Sequence, residues 1–398
     1  MLSEKVLSMT KQKSVIREIF EYGMARANMI GAENVYDFSI GNPSVPAPES
    51  VDRAIYDIMQ EQNPVERHGY APNAGIPEVR KTIATSLNKR FGMDYTEANI
   101  FMTNGAAASL GILFQLMKND PEDKIITFAP FFPEYSAYAI SADIQLEVIS
   151  ANIPSFQINF EELEAVLDEH TKAVLINSPN NPSGVVYSKE TIQKLAALLE
   201  EKQKEFGHPI YIISDEPYRE IVYDGFEVSY VPRFYDNTFV CYSYSKSLSL
   251  PGERIGYIAF TNKIADADIM LGAFVQSARL LSYVCVPSMF QKVVARCVAD
   301  TADLSVYAKN RERLYSALTA MGYECAEPGG AFYLFMKALG DDAGTFCETA
   351  KKYDLLLVPS DSFGCPGYVR ISYCVDPERI EGALPLFKKL IDEYKGEK

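Results

Sequence analysis

The segment Thr238–Arg254 reads TFVCYSYSKSLSLPGER, and its first five residues form an apolar run typical of a buried strand. The run is followed by Ser243, Ser245 and Lys246, and Arg254 comes eight residues after the lysine. An isolated lysine is most often a solvated surface residue. A lysine at the end of a buried strand, with a second cation nearby, is instead a candidate for an amine whose pKa is lowered.

Such an amine is a nucleophile that can form a Schiff base with an aldehyde. The hydroxyl groups of Ser243 and Ser245 are suitable donors to a phosphate, and the guanidinium of Arg254 can bind two phosphate oxygens at once. The segment therefore offers a reactive amine and a set of phosphate donors side by side.

Outward from this segment, short apolar runs alternate with helical patterns such as Ser188–Phe206, which begins at a serine cap and ends before Gly207. Strands rich in Val and Ile that alternate with helices predict an α/β fold, with a mostly parallel seven-stranded sheet between helices. The candidate strands are Asn99–Thr103, Lys124–Ala129, Gln145–Ser150, Lys172–Asn177, Ile210–Ser214, Thr238–Tyr242 and Ile255–Phe260.

The two ends of the chain have a different pattern, which predicts a second, smaller α+β domain. The expected elements are helices at Ser14–Met29, Asp303–Met321, Thr345–Lys352 and Glu378–Tyr394, and strands within residues 329–338 and at Tyr368–Tyr373. A chain of 398 residues is too long for one compact core. We predict a large domain over residues 46–295 and a discontinuous small domain over residues 1–45 and 296–398.

Two more loops carry polar residues directly after a candidate strand, where ligands bind in open α/β sheets. Ser178–Gly184 reads SPNNPSG and sets two asparagines at a strand end, although a simple turn has the same pattern. Ser214–Tyr218 reads SDEPY and puts Asp215 at the end of an apolar strand. A carboxylate there is costly to bury unless it meets a cation such as a protonated pyridinium nitrogen, and a helix-capping aspartate is the alternative.

A third loop, Thr103–Ser109, reads TNGAAAS and joins a strand to an apolar helix. Small residues at a helix N-terminus let backbone N–H groups approach a phosphate, although alanine-rich helix starts are also common packing devices.

Composition limits the partners. The net charge of −15 argues against nucleic acid or an anionic membrane, and no apolar run reaches the ~20 residues of a membrane span. Seven cysteines without a CxxC pair and three isolated histidines provide no zinc-binding spacing, so we expect no metal. We read the cysteines as reduced core residues of a cytoplasmic protein, because the N-terminus has no secretory signal pattern.

Together these segments resemble the fold-type I aminotransferases that use pyridoxal 5′-phosphate (PLP), in particular the class I and II group that includes aspartate aminotransferase. The resemblance extends over nearly the whole chain in the family's order. Its most specific element is SxSK…R, and SDEPY is similar to the family's DEAY or DEVY. SPNNPSG resembles the family's NPxNPTG, with Ser178 and Ser183 as departures that do not touch the contacting residue, Asn181.

The resemblance implies a role for each residue that matches the family's motifs. Lys246 would form the Schiff base with PLP, Asp215 would hold the pyridine nitrogen, and Asn181 and Tyr218 would contact the phenolic oxygen. The residues implied to hold the phosphate are Gly105, Ala106, Ala107, Ser243, Ser245 and Arg254. Ala106 and Ala107 replace more polar residues of the family, which puts only an extra hydroxyl contact in doubt.

Weaker matches complete the implied site. Phe132 would stack on the pyridine ring, and Tyr70 would reach the phosphate of a neighbouring subunit, which implies a homodimer with shared active sites. Gly41 and Arg370, together with Asn181, would bind the substrate, with Arg370 on its α-carboxylate. The alternative for Arg370 is a surface ion pair.

The implied function is PLP-dependent, ping-pong transamination between an L-amino acid, with aspartate favoured, and a 2-oxo acid such as 2-oxoglutarate. Alternatives are an aromatic or alanine-type aminotransferase, a PLP-dependent carbon–sulfur β-lyase, and a non-enzymatic PLP or amino-acid sensor. Arg279 lies near the place where some members bind a second carboxylate, and an exposed helix arginine is an equally good interpretation. The expected partners are small molecules.

Overall fold

The computed structural model describes residues 3–10, 14–340 and 342–396. The strands are β1 Tyr36–Asp37, β2 Ile100–Thr103, β3 Lys124–Phe128, β4 Gln145–Ile149, β5 Thr171–Asn177, β6 Tyr211–Asp215, β7 Thr238–Ser243, β8 Gly256–Phe260, β9 Cys325–Ala326, β10 Tyr333–Lys337, β11 Leu355–Leu356, β12 Val358–Pro359 and β13 Tyr368–Ser372. The α-helices are α1 Glu4–Thr10, α2 Val15–Ile30, α3 Glu49–Glu61, α4 Pro64–His68, α5 Pro77–Phe91, α6 Ala106–Leu116, α7 Glu134–Ala142, α8 Phe160–Val166, α9 Lys189–Phe206, α10 Tyr244–Ser247, α11 Met270–Leu280, α12 Ser288–Arg296, α13 Ser305–Met321, α14 Ala343–Lys351 and α15 Pro377–Lys395.

The central sheet has seven strands in the order β2-β8-β7-β6-β5-β3-β4. The five strands from β7 to β4 pair in parallel, and β8 is antiparallel to both β7 and β2. The predicted mostly parallel seven-stranded sheet is therefore confirmed. For these seven strands each predicted boundary agrees with the structure to within one residue, and β6 extends to Asp215.

Both faces of the sheet are covered, which explains why its strands are apolar at nearly every position. In β5, Leu175 packs in a cluster with Leu110 of α6 and Phe274 of α11. Its neighbours Val174 and Ile176 point to the opposite face, where they pack in a cluster with residues of α9. Successive strand residues thus serve two cores, as parallel sheets between helices require.

A four-stranded antiparallel sheet in the order β12-β13-β10-β9 forms a second unit with α13, α14 and α15. The start of the chain joins it, because β1 pairs in parallel with β11 and Ser372 N donates to Phe38 O at 2.9 Å. This connection carries the residues after Phe38 toward the end of the central sheet. The division into domains at residues 46 and 295 stays a prediction.

The strand predicted within residues 329–338 is shorter than expected. Only Tyr333–Lys337 forms β10, because Ala331 has a φ of 56° and Gly330 N donates to Gly184 O at 2.9 Å. Gly330 therefore packs against the loop Ser178–Gly184, while Ala331 N donates to Ile221 O and Gly329 O accepts from Tyr223 N, so these residues do not extend the sheet.

All seven cysteines are unpaired, and five of them are buried. Within the described ranges, no helix is long and apolar enough to cross a bilayer.

We predict that Gly184→Ala destabilises the protein far more than Gly207→Ala. Both glycines have a left-handed φ, 71° and 75°, so each alanine carries a similar backbone strain of about 1–2 kcal/mol. A Cβ at Gly207 meets nothing within 4 Å, whereas one at Gly184 overlaps the carbonyl oxygen of Tyr333. Thermal unfolding of the two variants checks this, and equal melting temperatures would contradict the close packing of this loop on β10.

Candidate active site

The carboxyl ends of β5, β6 and β7 open into a cavity of about 300 Å³. The pairing register sets Asn177 opposite Asp215, and Asp215 opposite Cys241, so these strands end at the same edge. Twelve of the residues predicted for the site line this cavity: Gly41, Ala106, Ala107, Phe132, Asn181, Asp215, Tyr218, Ser243, Ser245, Lys246, Arg254 and Arg370.

Lys246 lies on the single helical turn α10, directly after β7. Ser243 caps this turn, since its side chain accepts a hydrogen bond from Ser245 N at 3.2 Å. The Nζ atom of Lys246 donates to Gly41 O at 2.7 Å and lies 5.4 Å from the ring of Phe332. Burial lowers the pKa of Lys246 to about 8, and the positive charges of Arg254 and Arg370 act in the same direction.

Asp215 ends β6 and is only 4% exposed. Its Oδ2 atom accepts a hydrogen bond from Tyr135 Oη at 2.6 Å, whereas its buried Oδ1 atom has no hydrogen-bond partner. Burial raises the pKa of Asp215 to about 7; the hydrogen bond from Tyr135 opposes this shift, and the nearby charge of Glu216 adds to it. The carboxylate therefore has one satisfied oxygen and one that lacks a donor, so it is not a helix cap.

An anion-binding arrangement lies at the N-terminus of α6. The Oγ atoms of Ser243 and Ser245 are 2.7 Å apart, and Arg254 Nη1 donates to Ser245 Oγ at 3.3 Å. Gly105 precedes the helix with a φ of 82°, and a Cβ there would lie 2.5 Å from Arg254 Nη2. Two hydroxyl groups, a guanidinium and the free N–H groups of a helix start thus face one region, which suits a phosphate.

Arg370 lies on β13 and is only 2% exposed, so it is not part of a surface ion pair. Its Nη1 atom donates to Asn181 Oδ1 at 3.0 Å, and its Nη2 atom donates to Ser39 O at 2.5 Å. The buried Nε atom has no partner, and the guanidinium packs on the rings of Tyr333 and Phe363. Within the described residues no carboxylate pairs with Arg370, which leaves a buried cation able to bind one.

The loop Ser178–Gly184 is more than a turn, because Asn181 is buried and holds the guanidinium of Arg370. The main-chain N–H of Asn181 donates to Asn177 Oδ1 at 2.7 Å. On the other side of the cavity the hydroxyl groups of Tyr218 and Tyr333 are 2.9 Å apart. The arrangement connects the end of β5 with β10 and β13.

The sequence analysis did not identify three residues that contact the predicted site residues: Tyr135, Asn177 and Tyr333. Asn177 is the last residue of an apolar strand, so the rule that identified Asp215 also applies to it. Tyr135 and Tyr333 have no such signal, because Tyr135 lies on α7 and Tyr333 begins β10, so neither stands at the end of a strand.

Two predicted residues contribute nothing to the cavity within one chain. Tyr70 is 100% exposed and does not line it. Arg279 is exposed on α11, where its guanidinium donates to Gln276 Oε1 at 3.0 Å.

The family model for class I and II aminotransferases matches residues 33–385. The chain belongs to this family. This aminotransferase is 33% identical to the aspartate aminotransferase of Thermotoga maritima over 366 residues, which cover 90% of the chain and 92% of the relative. It is 26% identical to aromatic-amino-acid aminotransferase 2 of Thermococcus litoralis, with 96% of each chain covered.

Solved structures agree with this assignment. An aminotransferase of Eubacterium rectale superposes on this aminotransferase with a TM-score of 0.96 and 51% identity, covering 99% of each chain. The aspartate aminotransferase of Thermotoga maritima superposes with a TM-score of 0.87 and 29% identity, covering 98% of this chain and 100% of that structure. The fold and the enzyme class predicted from the sequence are confirmed, and enzymes of this class use PLP.

We predict that Lys246→Met stabilises the cofactor-free aminotransferase near pH 7. The folded pKa of about 8 lies below the ordinary value of 10.5, so below pH 8 the wild-type fold carries a partly desolvated charge that is fully solvated in the unfolded state. Between about pH 8 and 10.5 the unfolded state binds more protons, and wild-type stability rises with pH.

Lys246→Met should raise the free energy of unfolding by at most about 3 kcal/mol at pH 7, and this gain should shrink as the pH approaches 10. Urea unfolding of both proteins across this range measures it. A difference that is independent of pH would show that the amine is not held in a buried site.

Proposed function

We propose that this aminotransferase binds PLP in the cavity between Lys246 and Asp215 and transfers the amino group of an L-amino acid to a 2-oxo acid. The observation that carries the proposal is the pair formed by a half-buried amine of lowered pKa and a buried carboxylate with one unpaired oxygen, which line the same cavity. A cofactor with an aldehyde and a protonated ring nitrogen satisfies both groups.

The residues present fit this cofactor. The unpaired Oδ1 of Asp215 lacks a donor that a pyridinium N–H supplies, and Gly105 leaves open the space beside Arg254 that a Cβ would fill. Lys246 would hold the aldehyde carbon, and Asn181 and Tyr218 would donate to the phenolic oxygen. The residues proposed to complete the site are Phe132 against the ring and Gly105, Ala106, Ala107, Ser243, Ser245 and Arg254 around the phosphate.

Bound PLP supplies an electron sink for the negative charge left on a substrate carbon when its proton is removed. Arg370 binds the α-carboxylate of the amino acid, since its buried charge has no acidic partner among the described residues. The Lys246 amine accepts the proton from the substrate Cα, because a pKa near 8 leaves part of it deprotonated near neutral pH. Asp215 would face the cofactor ring, and the positive charge of a pyridinium N–H would hold its carboxylate in the charged form.

We propose 2-oxoglutarate as acceptor and aspartate as the first donor to test, because the similar proteins include aspartate aminotransferases. The basic residues that line the cavity in the described part of the chain are Lys246, Arg254 and Arg370. Each already has a proposed role, so the side-chain carboxylate of aspartate needs a further cation from outside this lining. The aromatic-amino-acid relative makes an aromatic donor the second candidate.

We also propose a homodimer with shared active sites. Tyr70 is fully exposed, and Val65 on the preceding helix α4 is 80% exposed, which marks a surface suited to another copy of the chain. In this arrangement Tyr70 reaches the phosphate in the partner's cavity. Within one chain, Gly41, Tyr333 and Arg370 come from the proposed small domain, and the other lining residues named above come from the proposed large domain.

The first test is a panel of amino donors with 2-oxoglutarate, combined with borohydride reduction of the PLP-loaded protein. We expect glutamate formation in ping-pong kinetics and a covalent label on Lys246, and we expect Lys246→Ala to lose both. Release of pyruvate and ammonia from cystathionine without amino-group transfer would favour a β-lyase. A label on another lysine would refute the site.

The second test concerns Arg370. Arg370→Ala should lower kcat/KM for the amino acid on the order of 100-fold, mainly through KM, because it removes a charge-assisted carboxylate contact. Arg370→Lys keeps the charge but loses the two-pronged geometry and should recover only part of the loss.

Arg313→Ala serves as the control, because this exposed arginine pairs with Glu381 and neither residue lines the cavity. An unchanged KM in Arg370→Ala would remove Arg370 from the substrate site.

A further inference from the structure

Tyr135 lies outside the cavity lining but contacts the carboxylate on which the cavity depends. It is 1% exposed on α7, and its Oη atom lies 2.6 Å from Asp215 Oδ2. Its ring also packs edge-to-face against Phe132, with ring centroids 5.7 Å apart and an interplanar angle of 85°. One side chain thus supports both the carboxylate and the aromatic wall of the site.

The bond from Tyr135 occupies one carboxylate oxygen of Asp215 and leaves the other without a partner. Asn177 Nδ2 donates to the main-chain oxygen of Asp215 at 2.8 Å and lies 3.5 Å from Oδ2, so both neighbours hold the same side of the residue. The opposite oxygen, Oδ1, is buried without a partner. Rotation of the carboxylate would break this short hydrogen bond. The bond therefore holds the carboxylate in place and leaves Oδ1 free for a ligand.

The hydroxyl group of Tyr135 is a neutral donor, so its hydrogen bond does not cancel the charge of Asp215. Burial raises the pKa of Tyr135 well above 10, so its hydroxyl group stays protonated and can only donate to the carboxylate. The next residue shows the contrast, because Glu216 is neutralised by Arg219 with a 2.5 Å contact between Oε2 and Nε. Of two adjacent buried acids, one is paired with a cation and the other only with hydrogen-bond donors.

We propose that Tyr135 is a positioning residue that orients Asp215 and keeps its charge available to the cationic ring nitrogen of the cofactor. The inference rests on the proposed function, since it assumes that PLP binds in this cavity. It assigns Tyr135 an effect on cofactor affinity that acts through Asp215.

The test is the dissociation constant of PLP for cofactor-free wild type and Tyr135→Phe between pH 6 and 9. We expect about tenfold weaker binding in the variant near pH 6 to 7, the factor that corresponds to one hydrogen bond to a charged group. Without the hydroxyl group of Tyr135, Asp215 should hold its proton to a higher pH. The ratio of the two PLP dissociation constants should therefore approach one toward pH 9.

Other titratable groups face Asp215, namely Glu216 beside it in the chain, Tyr138 from α7 and Cys241 from β7. These groups are the same in both proteins, so their effect on PLP binding cancels from the ratio of the two dissociation constants. Tyr235→Phe is the matched control, because it also removes a buried 2.6 Å hydrogen bond, to Ile210 O, away from the cavity.

A double variant separates the positioning role from a merely structural one. In an Asp215→Asn background, Tyr135→Phe should cause no further loss of PLP affinity. Equal affinity of wild type and Tyr135→Phe, a ratio constant with pH, or an equal loss in Tyr235→Phe would each overturn the inference. Failure of the wild-type protein to bind PLP would instead overturn the proposed function.

Discussion

A buried carboxylate with one unsatisfied oxygen is the constraint on which the candidate site depends. Leaving such an atom without a partner costs about 1–3 kcal/mol, and the cost is larger when the group is charged. The fold accepts this cost at Asp215 while it satisfies the other oxygen through Tyr135 and the main chain through Asn177. A ligand that donates to Oδ1 would recover this cost, so the unpartnered oxygen would contribute to the affinity for that ligand.

The surrounding charges have the opposite sign to the protein as a whole. The chain carries a net charge of −15, yet Lys246, Arg254 and Arg370 all line the cavity around one aspartate. Substrates and a cofactor with carboxylate and phosphate groups therefore meet a local positive field inside an acidic molecule. Burial lowers the pKa of Lys246, and the positive charges of Arg254 and Arg370 add to this effect.

Much of the fold could be read from the sequence, because buried parallel strands leave apolar runs that end at polar residues. That signal identified Asp215, Asn181 and Lys246, and the structure brings them into one cavity. Tyr135 was missed because its contact with Asp215 joins residues 80 positions apart. The shortened β10 was missed for a similar reason, since the positive φ of Ala331 follows from packing against a distant loop.

The most direct test of the central claim is nitrogen-15 NMR of the protein loaded with PLP labelled at the ring nitrogen. We predict a chemical shift typical of a protonated pyridinium in the wild type, and a shift toward that of a neutral pyridine in Asp215→Asn. A neutral ring nitrogen in the wild type would contradict the pairing of Asp215 with the cofactor, and with it the proposed site.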